Sequence, residues 1–167
     1  MSVARDLQTP EQAPSSGVAG DDPRELIRHL DAFRKLTDKE REDVASLARV
    51  VRVEQDRVIP RADGEGSYCF VVRGQVAFAE FTPGTVPEPP KNKKKRITPV
   101  MQVAERVVAL FDVGEHFKND HVASARGDDG AKRDMALFTC VNVVLLEFPR
   151  AALDAALEHL PAVKDEI

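Results

Sequence analysis

The chain of 167 residues has no tryptophan and a single tyrosine, Tyr68. With aromatics this sparse, base-stacking platforms and aromatic cages lack their building material. Cysteine occurs twice, at Cys69 and Cys140, each inside an apolar strand-like run. That placement argues for buried structural thiols and against a disulfide or redox pair. No apolar run reaches the length a bilayer requires, and the N-terminus carries no apolar segment of the signal-peptide kind. A cytoplasmic protein without membrane contact is expected. Charge of one sign is not in excess either. The net value of -4 is too mild for bulk nucleic-acid or membrane affinity.

Catalytic patterns are missing as well. His29, His116, His121 and His159 never form the H-x-H pair that cupin-type metal sites need. No serine sits in a G-x-S-x-G elbow, and neither cysteine has a basic setting that would activate it. The carboxylates fall mostly on helix faces and turns, where solvation accounts for them. No enzyme, no metal and no bound cofactor are expected.

The clearest positive signal is a strand ribbon, Ser67 to Phe81, SYCFVVRGQVAFAEF. Phe70 and Val72 alternate before Gly74, and Val76 and Phe78 after it. A period of two places them on one face, with Gly74 marking a bend, a bulge or a close backbone approach. Residues 1–20 are rich in Pro, Gly, Ser and Gln without periodicity, and read as a disordered tail before one domain at 21–167. Asp22, Pro23 and Glu25 open a helix with Leu26, Ile27, Leu30, Phe33 and Leu36 as its apolar face. Thr37 with Glu40 caps a second helix that carries Val44 inward.

Strand patterns follow at Val51 and Val53, at Val58 and Ile59, in the ribbon, at 102–111 and at 136–148. Pro149 opens a last helix striped by Leu153, Leu157 and Leu160, which Pro161 stops. Two helices, about eight short strands and a closing helix predict an α+β domain. Its core would be an antiparallel β jelly roll, the double-stranded β-helix.

Two loops carry charge. Residues 82–97 form a long hairpin loop with a basic run at Lys91, Lys93, Lys94, Lys95 and Arg96. The run is a candidate patch for phosphate, nucleic acid or an acidic protein partner, or else a solvated loop kept soluble by its charge, and it is too short and isolated to carry DNA recognition alone. A second loop, GDDGAKRD at 127–134, leads into Arg133. Backbone N–H groups and an arginine together can hold a phosphate.

With these residues in view, the chain resembles the cyclic-nucleotide-binding domain of catabolite activator protein, kinase regulatory subunits and gated channels. Ile59 to Gly74, I-PRADGEGSYC-FVVRG, matches the family's ungapped stretch. Gly114–Glu115–His116–Phe117 looks like the G-D-x-F opening of its phosphate-binding cassette. Arg133 to Leu153 resembles the cassette's close, an arginine followed by a strand pair and a helix. The likeness covers Pro23 to Pro161. It implies a regulatory or signalling domain, with cAMP, cGMP or another cyclic nucleotide as ligand. It further implies a site at Phe117, Lys118, Asn119 and Asp120 on one side and Arg133, Asp134 and Met135 on the other.

The cassette departs from the family where the ligand would sit. The family continues F-G-E, its Glu binding the ribose 2′-OH, whereas this chain has Phe117, Lys118, Asn119, with Asp120 one residue late. Losing that carboxylate contact removes about 1.5–3 kcal/mol. Asp134 and Met135 follow Arg133 in place of small residues. An aspartate there repels a cyclic phosphate or pairs with the arginine. Two readings stay open at this point. One is a degenerate domain acting through protein–protein interaction with an unidentified partner. The alternative is a ligand sensor that binds a cyclic nucleotide or related phosphate compound through Arg133 and the 118–134 loop. No helix-turn-helix follows the domain, so a stand-alone DNA-binding regulator is not expected.

Overall fold

The computed structural model describes residues 22–60, 62, 64–88, 99–119, 124–126 and 129–167. The expected tail at 1–20, the basic run at 91–96 and Asp120 lie outside the described residues. Asp22 caps α1 (Pro23–Leu26), its side chain accepting from the Arg24 amide at 2.9 Å. The longer helix expected there does not form. Leu30 is extended, with φ -98° and ψ 116°, and 3-10 turns at Ile27–His29 and Asp31–Phe33 flank it. Ile27, Leu30, Phe33 and Leu36 are all buried. Their spacing of three is the period of a 3-10 helix, roughly 3.0 residues per turn. Burial of that stripe won over α-helical propensity.

Local chemistry fixes α2 (Asp38–Ala45). The Thr37 amide donates to the Glu40 carboxylate at 2.8 Å, and the Glu40 amide donates to the Thr37 hydroxyl at 3.3 Å. This reciprocal capping box satisfies donors that the helix itself cannot.

Among the described residues, eight strands build two four-stranded sheets. They are β1 (Arg49–Val53), β2 (Ser67–Arg73), β3 (Val76–Phe81), β4 (Arg106–Phe111), β5 (His116–Asn119), β6 (Ser124–Arg126), β7 (Lys132–Thr139) and β8 (Val143–Pro149). One sheet has the order β1-β8-β2-β5 and the other β4-β3-β7-β6, with antiparallel pairing throughout. With the helices this is an α+β fold around a jelly roll. Val58 forms only an isolated bridge to Phe138, where a strand was expected. The strand expected from Gln102 starts at Arg106. Ahead of it α3 (Val100–Val103) buries Val100, whose amide donates to Asp56 at 2.6 Å. α4 (Arg150–Leu157) ends ahead of Pro161, at the Glu158 cap, and Pro161 instead opens a further turn, α5 (Pro161–Lys164), where its missing N–H costs nothing.

The ribbon is not one-faced. β2 and β3 lie in different sheets, and the chain passes between them at Gly74. Phe70 and Val72 join Phe33 and Phe148 under the helices. Ring centroids of Phe33, Phe70 and Phe148 stand 5.0, 5.7 and 5.6 Å apart. Val76 instead packs in a separate cluster with Cys69, Val71, Phe117 and Leu145. Gly74 has φ +87°, and a Cβ there would lie 2.5 Å from the Asn142 carbonyl oxygen. Both the bend and the close approach are present.

Gly74→Ala should therefore cost more than about 2 kcal/mol, combining left-handed strain with a backbone clash. Gly64, at φ +66° with nothing within 4 Å, supplies the control: Gly64→Ala should cost only about 1 kcal/mol. Urea unfolding of the two variants measures the difference, and equal losses would remove the clash from the account.

Candidate binding cavity

Strand β5 sorts its residues by face. Its Cα partners in β2 run His116 to Phe70, Phe117 to Cys69, Lys118 to Tyr68 and Asn119 to Ser67. Phe117 and Asn119 are buried, and the Asn119 side-chain amide donates to the Pro60 carbonyl at 3.0 Å. On the opposite face the His116 ring stacks on Phe70 at 5.2 Å. The Lys118 ammonium stands 5.5 Å from the Tyr68 ring centroid, within cation–π range.

A cavity of about 810 Å³ opens beside β5 and β7. Ile59, Phe78, Phe111, Phe117, Met135 and Leu137 give it an apolar wall. Its volume falls in the range of small-molecule sites, about 300–1,000 Å³. Lys118, Asn119 and Asp134 also contribute to the wall. Asp134 accepts a hydrogen bond from the Gly84 amide at 2.9 Å.

Arg133 does not line this cavity. Its Nε pairs with Glu105 at 2.9 Å and its Nη2 with Asp129 at 3.0 Å. Nη1 donates to the Lys132 carbonyl at 3.4 Å. Glu105 also accepts from the Thr82 hydroxyl. Asp129 accepts from the Ala131 amide at 2.9 Å. That amide, and then the Arg133 charge, hold the Asp129 carboxyl below its ordinary range. Glu105 further donates its amide to the Glu80 carbonyl, and Arg106 grips the Glu80 carboxylate through two bonds of 3.1 and 2.9 Å. Two arginines, Arg133 and Arg106, are thus engaged by three carboxylates here, with Asp134 close by in β7.

The structure thus brings Phe117, Lys118, Asn119, Asp134 and Met135 to one cavity and sets Arg133 beside it. Sequence reading passed over Phe78, Phe111 and Leu137 as wall residues, although strand alternation marks them. It also passed over Glu105 and Asp129, for which no local pattern gives a signal. Among the described residues, no group of three or more His, Cys, Asp or Glu side chains is placed to hold a metal.

No protein-family model matches the sequence, and no curated protein does. Solved structures do. A cAMP-binding acyltransferase from Mycobacterium smegmatis superposes with a TM-score of 0.54 at 17% identity, over 87% of this chain and 38% of that one. The regulatory subunit of a cAMP-independent protein kinase A from Trypanosoma brucei gives 0.52 at 16% identity, over 84% and 43%. Catabolite Activator Protein from Thermus thermophilus gives 0.50 at 20% identity, over 80% and 53%. The chain has the cyclic-nucleotide-binding-domain fold. It spans about half or less of each of these three proteins.

The cyclic-nucleotide-binding-domain fold of this chain also buries a polar group in its other sheet. Glu147 is buried in β8, accepting from Arg49 at 2.6 Å and from the Ser67 hydroxyl at 2.8 Å. Cys69 lies 3.7 Å from that hydroxyl. Burial, with the Glu147 charge adding to it, pushes the Cys69 thiol up to about 12. Cys140 is half-buried, and both thiols are free.

Cys69 should stay a protonated, inert thiol at neutral pH. Iodoacetamide at pH 8 should modify Cys140 first and reach Cys69 only in denaturant, as peptide mass spectrometry would read. Rapid native labelling of Cys69 would contradict its burial. The sign of the pH effect follows. The folded value stands above the ordinary 9.0, so the unfolded thiol ionises first as pH rises. This stabilising contribution is whole below pH 9 and is lost between pH 9 and about 12.

Proposed function

We propose that this chain is a non-enzymatic, cytoplasmic regulatory domain that signals through contact with a protein partner, without a cyclic phosphate as its trigger. The observation that carries this is the pairing of Arg133 with Glu105 and Asp129. A phosphate would have to displace both carboxylates from a guanidinium only 23% exposed. It would do so beside Asp134 and Glu80. The four-residue wall segment of β5 offers no carboxylate for a ribose, since Lys118 and Asn119 stand there. A parallel is the Trypanosoma regulatory subunit, which belongs to a cAMP-independent protein kinase A.

Strand β4 supports protein contact. It lies at the edge of its sheet, with Val107, Val108 and Leu110 exposed. An apolar edge strand is a surface that other chains can pair with or cover. The basic run at Lys91, Lys93, Lys94, Lys95 and Arg96 adds charge for an acidic partner. The second reading, a cyclic-nucleotide sensor, draws its support from the cavity of about 810 Å³ beside Arg133.

Titration calorimetry and thermal shift with cAMP and cGMP separate the two. Neither nucleotide should shift the melting point at millimolar concentration, in wild type or in Arg133→Ala. The Arg133→Ala change itself should cost about 1 kcal/mol or less, as partly exposed pairs do. Saturable stabilisation by cAMP that Arg133→Ala abolishes would sink the proposal. For the partner, Val108→Lys with Leu110→Lys, or charge reversal of 91–96, should strip a protein captured by the wild-type chain from lysate. Undiminished capture by both variants would remove these surfaces from the reading.

A further inference from the structure

The cavity is large, apolar and unused by a domain that signals without a cyclic phosphate. Its chemistry selects a different class of occupant. Both sheets contribute to the wall, with Phe117 from one and Phe78, Phe111, Met135 and Leu137 from the other. Apolar wall area of this kind favours an apolar body by the hydrophobic effect alone. The charged groups then decide what else the molecule can carry. Lys118 belongs to the wall, but its ammonium is drawn over Tyr68. The His116 ring is stacked on Phe70. Arg133 is held by Glu105 and Asp129. The Asn119 amide already donates to Pro60. What remains is Asp134, whose Oδ2 takes one amide, from Gly84. A carboxylate has acceptor capacity for more donors than that.

Among the described residues, the basic side chains at the wall, His116 and Lys118, are drawn to the Phe70 and Tyr68 rings, and an entering anion faces a carboxylate. Burying a charge without a partner is unfavourable. A hydroxyl or an ammonium meets an acceptor instead. We propose that this cavity binds a predominantly apolar small molecule with a hydrogen-bond-donating end, an alcohol or amine, directed to Asp134. The proposal rests on the reading that Arg133 is withheld from ligands by its two carboxylates.

The test uses 1-N-phenylnaphthylamine, an uncharged apolar fluorophore, with the full chain. Its emission should rise saturably at one equivalent. Decylamine and decanol should displace it at least about tenfold more effectively than decanoate, as like charge beside a carboxylate implies. Asp134→Asn keeps an acceptor for the Gly84 amide. It should collapse the preference for amine over carboxylate. The native chain has no tryptophan, so Val86→Trp, at the cavity wall, supplies one indole as energy donor. Its emission should be quenched as the fluorophore binds, which places the probe in this cavity.

Absence of saturable uptake, absence of quenching in Val86→Trp, or decanoate binding as well as decylamine would each overturn the proposal. The reading of Arg133 fails separately. If the fluorophore fails to bind and cAMP is also inert, the cavity proposal falls and the Arg133 reading stands. If the fluorophore binds and calorimetry shows cAMP binding through Arg133, the reverse holds.

Discussion

At Gly74 the backbone slips past the Asn142 carbonyl with no space for a side chain, and the two sheets take their places from that passage. Before it, β2 sends Phe70 and Val72 under the helices. After it, β3 sends Val76 and Phe78 toward the interior and the cavity. The returning chain makes the complementary crossing from β7 to β8 next to it. The Cys140 amide donates to the Gln75 carbonyl at 3.0 Å, and Asn142 accepts from the Gln55 amide at 2.7 Å. Each crossing therefore braces the other. A side chain at Gly74 would disturb both sheets at once, because neither corner can shift alone.

Parts of this arrangement were legible because their causes are local. The Thr37–Glu40 box needs only three residues of spacing. Strand alternation gave the jelly roll and most of the strands. The period-three stripe at Ile27, Leu30, Phe33 and Leu36 nearly coincides with an α-helical face, so periodicity alone does not separate the two. Gly74 announced a bend and a close approach, but not that the strands on either side join different sheets. That depends on pairing with β7 and β8, which is not a local property. Alternation in β5 did contain the information that Lys118 and Asn119 leave the strand on opposite faces. The partners of Arg133 were not legible. Asp129 is four residues away across a turn and Glu105 lies on another strand's approach, and neither position follows from periodicity.

The chain has the cyclic-nucleotide-binding-domain fold, and Arg133 is already paired within it. Guanidinium pairs well with any oxyanion, and two fixed carboxylates are already in place around Arg133. They are presented by the same scaffold, so their effective concentration is high, whereas an incoming phosphate must arrive from solution. Asp129 is itself anchored by the Ala131 amide, and Glu105 by Thr82. The clamp is thus organised before any ligand comes. The apolar wall therefore lies beside an arginine whose charge is already matched by carboxylates of the same chain.

Tyr68 has a consequence of its own. Its ring receives the Lys118 ammonium from the cavity wall, and its hydroxyl donates to Asp154 of α4 at 2.9 Å. One side chain thus spans from the strand that borders the cavity to the helix that follows the jelly roll. It is also the sole tyrosine in a chain without tryptophan. The native ultraviolet emission of the protein therefore comes chiefly from a single phenol at that joint. Any rearrangement between wall and helix is written into the intrinsic spectrum without a label.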